Sequence, residues 1–285
     1  MDKKEKKDQF VIAYLPNLDK TESIISNAIC FAKMLNKGLI LLHISDQLYT
    51  DVNSNQAEKR LQELDSKITD ISFHSYCAIE GKTQEILYSI PKLLSGVLLV
   101  TATDNNSIAK KKKKLADEPN TLLNNLYTSR IAYFIVPQNQ ISPIPFDKVI
   151  LTIDNMRESK EKVLWASYFG RFANSDIIVY YHNYKDEFYR QQLHYNIKFV
   201  MKMFDNFKLK YKLNLSSDMK TYVDYQAIDY AEKENAGLVI CQTTKNKDWI
   251  NKWFIGVKEL KTINNNKNIP ILFINPREDL FILCE

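Results

Sequence analysis

Lys148-Val-Ile-Leu-Thr-Ile-Asp154, just past the midpoint of the 285 residues, decides the fold. A lysine opens an apolar run with two β-branched isoleucines, and an acid followed by Asn155 closes it. This is the pattern of a buried strand that ends in a polar tip. The stretch has a twin in Phe10-Val-Ile-Ala-Tyr-Leu-Pro16, where Val11 precedes Val149 by 138 residues. His43 and His182 lie 139 residues apart, Gly96 and Gly237 141, and Pro137 and Pro276 139. Four ordered pairs at nearly one offset indicate a tandem duplication, with domains at 1–141 and 142–285.

Each half alternates strands with helices. In the first, strands are expected at 10–16, 39–44, 71–78, 97–101 and 131–136. Helices are expected over 24–35, with Asp19 or Thr21 as cap and Asn36-Lys-Gly38 as stop, then over 55–68 and over 84–94, where Pro91 should kink or break the last. Pro137, Pro143 and Pro145 punctuate a joint. The second half repeats the order, with strands at 148–154, 176–182, 209–215, 237–241 and 269–274. Helices fall between them at 159–172, 187–207, 221–234 and 248–263. Continuous apolar strands between helices point to parallel sheets covered on both faces.

Composition narrows the function classes. Apolar residues make up 45% and charged residues 26%, as in a globular protein, and no apolar run is long enough to cross a bilayer. The N-terminal Met1-Asp-Lys-Lys-Glu-Lys-Lys-Asp8 reads as a solvated tail without a signal-peptide core. Cys30, Cys77, Cys241 and Cys284 have no metal spacing and read as unpaired thiols of a cytoplasmic protein. The net charge of +5 is small and gathers in the tail and in Lys110 to Lys114. That run reads as a solvated loop rather than a basic face, which points away from nucleic acid.

In this order the residues resemble the universal stress protein family in its tandem two-domain form. The resemblance is carried by Val149-Ile-Leu-Thr-Ile-Asp154, a first strand ending in Asp; by Leu41-Leu-His-Ile44, close to the family's Leu-Leu-His-Val; and by Pro270-Ile-Leu-Phe-Ile274, a fifth strand of the Pro-Val-Leu-Val-Val type. It covers both halves almost end to end. It implies an α/β fold of two tandem five-stranded parallel sheets, Rossmann-like and of the adenine nucleotide alpha hydrolase-like kind. It also implies an internal pseudo-dimer paired through the fifth strands, with homodimers as a further possibility. In one branch of the family ATP lies at the carboxyl ends of the strands, where open α/β sheets hold ligands.

ATP-binding members carry Gly-x-x-Gly, nine residues, then Gly-Ser/Thr after strand four, so that the backbone can approach phosphates. The first half has no glycine between Gly96 and the end of its domain, and Pro16 stands where the strand-end acid belongs. The second half keeps Asp154 and Gly256, but Val257 replaces the hydroxyl residue. The expectation is a non-catalytic stress-response or regulatory protein with a degenerate nucleotide site in both halves, no cofactor and no metal, acting on a protein partner. The alternative is an adenine-nucleotide module that binds ATP or AMP in the second domain only, through Asp154, Asn155, Thr243, Thr244 and Gly256.

Other clusters have plainer readings beside the functional ones. His43 and His182 end apolar strands with no nucleophile or carboxylate pair in view, and read as hydrogen-bonded structural residues. Asp154 either orients a ligand or caps the following turn. Tyr180, Tyr181, Tyr184, Phe188, Tyr189 and Tyr195 either stack on a planar ligand or serve helix-to-sheet packing and a domain seam. Trp249, Trp253 and Phe254 stand where the phosphate loop belongs, so a large apolar group is expected to fill that cavity.

Overall fold

The computed structural model describes residues 9–48, 50–103, 129, 131–137, 143–216, 221–243 and 252–275, with backbone alone at 103, 158 and 252–257. Two compact units divide the chain, Met1–Pro143 and Ile144–Glu285. In the first, strands β1 (Phe10–Tyr14), β2 (Gly38–Ser45), β3 (His74–Glu80), β4 (Gly96–Thr103) and β5 (Ala132–Pro137) lie in the order β3-β2-β1-β4-β5. Every pairing among them is parallel. Helices α1 (Glu22–Leu35), α2 (Ser54–Asp65) and α3 (Thr83–Leu93) connect them. The buried run Val11, Ile12, Ala13 and Leu39 to Leu42 needs cover on both faces, and the crossover helices supply it.

Local chemistry sets the element ends. In α1, Ile24, Ala28, Phe31 and Ala32 form the buried stripe, and Phe31 meets Phe134 edge-on at 4.7 Å. Asn36 stops the helix in the left-handed region (φ 51°), its amide reaching the carbonyls of Ala32 and Lys33. Thr21 holds the N-cap position, but its side chain makes no capping bond, and its αR backbone explains why. The helix starts without the expected oxygen cap. In α2 the roles reverse: Asn53 and Gln56 form a reciprocal capping box that the sequence reading passed over. Pro91 neither breaks nor displaces α3, which runs through it and ends two residues later at Leu93. So close to the end, proline removes a bond from the last turn only. β3 starts at His74, later than the expected Ile71.

The second unit holds β6 (Lys148–Ile153), a single 3-10 turn (Arg157–Ser159), α4 (Lys160–Phe172), β7 (Asp176–His182), α5 (Glu187–Asn206), β8 (Tyr211–Ser216), α6 (Val223–Glu234), β9 (Leu238–Gln242), α7 (Lys252–Ile263) and β10 (Ile271–Ile274). Its strand order, β8-β7-β6-β9-β10, repeats that of the first unit, again with parallel pairs. The duplication extends to the backbone. Asn174 (φ 54°) follows α4 as Asn36 follows α1, and Asn235 (φ 52°) follows α6 as Ser95 (φ 50°) follows α3.

Gly237 marks a close approach. A Cβ there would come 1.8 Å from the backbone oxygen of Pro145, which cannot swing aside. At Gly170, by contrast, a Cβ would meet only the side-chain ends of Ile177 and Leu209 at 3.1 Å or more. Gly237→Ala is expected to lower stability in urea denaturation by about 1–3 kcal/mol or more, as overpacked sites do. Gly170→Ala, in a helix where alanine is favoured by up to about 1 kcal/mol, should be near neutral. Equal effects would contradict the close approach.

Candidate functional site

In an open sheet of this order the ligand position is at the carboxyl ends of the strands, where neighbouring connections depart to opposite sides. In the second unit that place lies between β6 and β9, and Asp154 stands at its edge. The Asp154 carboxylate accepts a hydrogen bond from the Met156 amide at 3.0 Å, and its own amide donates to Ser159 Oγ at 3.3 Å. The buried Asn196 of α5 donates to the carbonyls of Asp154 and Met156 at 2.8 and 2.7 Å. One carboxylate oxygen therefore shapes the turn after the strand, as a capping acid would. Asn155 is half-buried and meets the Tyr184 hydroxyl through its backbone. Burial, then the nearby Asp154 carboxylate, pushes the Tyr184 phenol up to about 12.

The other expected residues are separated or tied up. Thr243 is buried; its amide donates to the Ile274 carbonyl at 3.1 Å and its hydroxyl to Asn275 Oδ1 at 2.8 Å. Gly256 lies inside α7, within helical backbone. Thr244, Trp249 and Lys110 to Lys114 fall outside the described residues, as do the side chains of Trp253 and Phe254.

Sequence reasoning missed a buried ionic network near Asp154. Asp224, in the first turn of α6, has a side chain 3% exposed, and Lys258 of α7 reaches its Oδ2 at 2.6 Å. Lys162, in the first turn of α4 and equally buried, donates to Thr152 Oγ1 at 3.3 Å, which in turn donates to the Ile240 carbonyl of β9 at 3.0 Å. Burial works against the charged form of Asp224, but the Lys258 and Lys162 ammonium groups outweigh it and hold the carboxyl below its ordinary range. Burial likewise opposes charge on Lys258, and Asp224 overcomes it, with Asp154 and Glu259 adding to the effect, so Lys258 is held firmly protonated. Cys241 lies in the same place, its thiol pushed well up by burial.

A signal for this network is present in the sequence. Lys162 shares the buried stripe of α4 with Ala166 and Phe169, and Asp224 that of α6 with Ala227, Ile228 and Ala231. A charged residue at a core position of a helix needs a partner. Among the described residues of the first unit there is no equivalent, and Ile24 and Gln84 occupy the places on α1 and α3 that match Lys162 and Asp224. There Asp46 anchors the start of α3 through the Thr83 amide at 2.7 Å. His43 Nδ1 donates to the Leu15 carbonyl at 2.7 Å, and burial lowers its pKa, so the ring is a neutral structural group. In the aromatic cluster, helix-to-sheet packing suits Tyr180, buried against Tyr230, but not Phe188, Tyr189 and Tyr195, which are exposed. Their place on the outward side of α5 explains the difference.

Solved structures match over nearly the whole chain, among them the following two. A universal stress protein from Archaeoglobus fulgidus DSM 4304 superposes with a TM-score of 0.71 at 11% identity, over 95% of this chain and 97% of the other. A functionally unknown protein from Pseudomonas aeruginosa PAO1 gives 0.64 at 10%, over 97% and 95%. The fold is thus the Rossmann-like fold of the universal stress proteins, as the sequence resemblance implies. No family model matches the chain, and no curated protein matches it in sequence. Among the described residues no helix is long and apolar enough to cross a membrane, and no group of three or more His, Cys, Asp or Glu is placed to hold a metal ion. Cys30, Cys77 and Cys241 are free thiols.

The lowered pKa of Asp224 has a sign. Stability from its charge is fully present above the ordinary value of 3.8 and is lost as pH falls through the lower folded value. Asp224→Asn is therefore expected to cost about 3 kcal/mol in urea denaturation at pH 7, where it leaves buried lysines unpaired. The gap to the unsubstituted protein should narrow below about pH 4. A gap that stays constant from pH 7 to pH 3 would contradict the pairing.

Proposed function

We propose that the protein is a non-catalytic universal-stress-type regulator that acts through protein contacts and leaves the nucleotide position of its second unit unused. The observation that carries this reading is Lys258, whose ammonium sits against the buried Asp224 at 2.6 Å. A polyphosphate placed at the carboxyl ends of β6 and β9 would meet the Asp154 and Asp224 carboxylates, and the Lys258 cation that feels both is already paired with Asp224. The chain also has no glycine from 97 to 169, which covers the whole stretch after β4, and only Gly256 after β9. Backbone amides that approach phosphates closely depend on such glycines. The Archaeoglobus fulgidus neighbour supports a place in stress response. Among the described residues, nothing near Asp154 pairs a nucleophile with a base, and this supports binding rather than turnover.

Isothermal titration with ATP up to millimolar concentration is expected to give no saturable heat, and ATP no shift in Tm. Micromolar ATP binding that disappears in Asp154→Ala would overturn the reading in favour of a nucleotide module built on Asp154, Asn155, Thr243, Thr244 and Gly256.

A further inference from the structure

We propose that the crevice at the carboxyl ends of β6 and β9 is a primary-ammonium site, occupied in cis by Lys258. The inference deepens the reading above and rests on it. The surroundings of Lys258 Nζ are those that recognise an alkylammonium. Asp224 Oδ2 accepts from it at 2.6 Å, a short charge-assisted bond from an acceptor that is itself 3% exposed. The Tyr222 ring stands over the ammonium, its centroid 5.6 Å away, where the negative face of the ring attracts a cation. Asp154 adds a second carboxylate within electrostatic reach. Tyr184 shares this field, since its phenol responds to Asp154, Lys258 and Asp224 alike.

The lysine is also held from behind. Tyr225 Oη donates to the Lys258 carbonyl at 3.4 Å, so α6 grips both the backbone and the side chain of the same residue. The Lys258 side chain is 19% exposed, whereas the carboxylate it reaches is 3% exposed. Lys162, also buried, donates to Thr152 Oγ1. The site thus discriminates by chemistry. A primary ammonium keeps the hydrogen bond to Asp224, whereas a quaternary ammonium keeps only the attraction to the ring and the charges.

Lys258→Ala removes the occupant and leaves the cage, and n-propylammonium replaces the atoms removed. In that variant, n-propylammonium chloride is expected to raise Tm saturably, by several degrees more than tetramethylammonium chloride at the same ionic strength. The gain should vanish in Asp224→Asn/Lys258→Ala and be absent in the unsubstituted protein. Equal effects of the two salts on Lys258→Ala, or rescue that survives loss of Asp224, would overturn the proposal. These outcomes stand apart from ATP binding, which is read on the unsubstituted protein. Should Lys258→Ala fail to fold, the unsubstituted protein decides by nitrogen-15 NMR. A slowly exchanging ammonium signal that is lost in Lys258→Arg is expected, and a lysine ammonium in free exchange with water would overturn the assignment.

Discussion

Asp224 carries a negative charge in a place almost closed to water, and the second unit is arranged around keeping that charge paired. At 2.6 Å, and with an effective dielectric constant of about 20, the gross attraction between Asp224 and Lys258 is roughly 6 kcal/mol. Desolvation of the two ions costs several kcal/mol each, so the pair adds little net stability. Its worth lies in the penalty for breaking it. Either partner left alone is a buried charge, and the first turn of α6, the middle of α7 and, through Lys162 and Thr152, the start of α4 and strands β6 and β9 are held together by that penalty. The pKa directions agree with this balance: attraction overcomes burial on both Asp224 and Lys258.

The two units show how one sheet can be kept while its crevice changes. Strand order, parallel pairing and the left-handed residues after matching helices recur. The side chains that meet at the carboxyl ends do not recur. Ile24 and Gln84 stand where Lys162 and Asp224 stand in the second unit, and the first unit relies on Asp46 anchoring α3 and a neutral His43 bound to Leu15. Fold is preserved by backbone pairing and apolar stripes, which tolerate such exchanges. The crevice is set by a few polar residues, and these diverged.

Much of the fold was legible because period and punctuation agreed. The strand at Lys148 and its twin at Phe10 follow directly from apolar runs bounded by polar tips, and Asn36 stops α1 as its type suggests. The errors have physical causes. Thr21 has the right side chain for a cap but a helical backbone, and Pro91 falls where a lost bond matters little. Asp154 was legible as a strand-end acid, and its bond to the Met156 amide accounts for one of its oxygens without a ligand. The ionic network escaped because its members come from three helices far apart in sequence. Lys162 and Asp224 were each visible alone as a charge on an apolar stripe; which charge meets which is a property of the packed sheet.

The most direct measurement is a double-mutant cycle on Asp224 and Lys258, with stabilities of Asp224→Asn, Lys258→Met and the double variant taken from urea denaturation at pH 7. If the pair organises the second unit, each single substitution costs about 3 kcal/mol and the double substitution costs clearly less than their combined effect, a coupling of about 1–3 kcal/mol. Additive losses would mean that the two residues do not depend on each other, and would contradict the account.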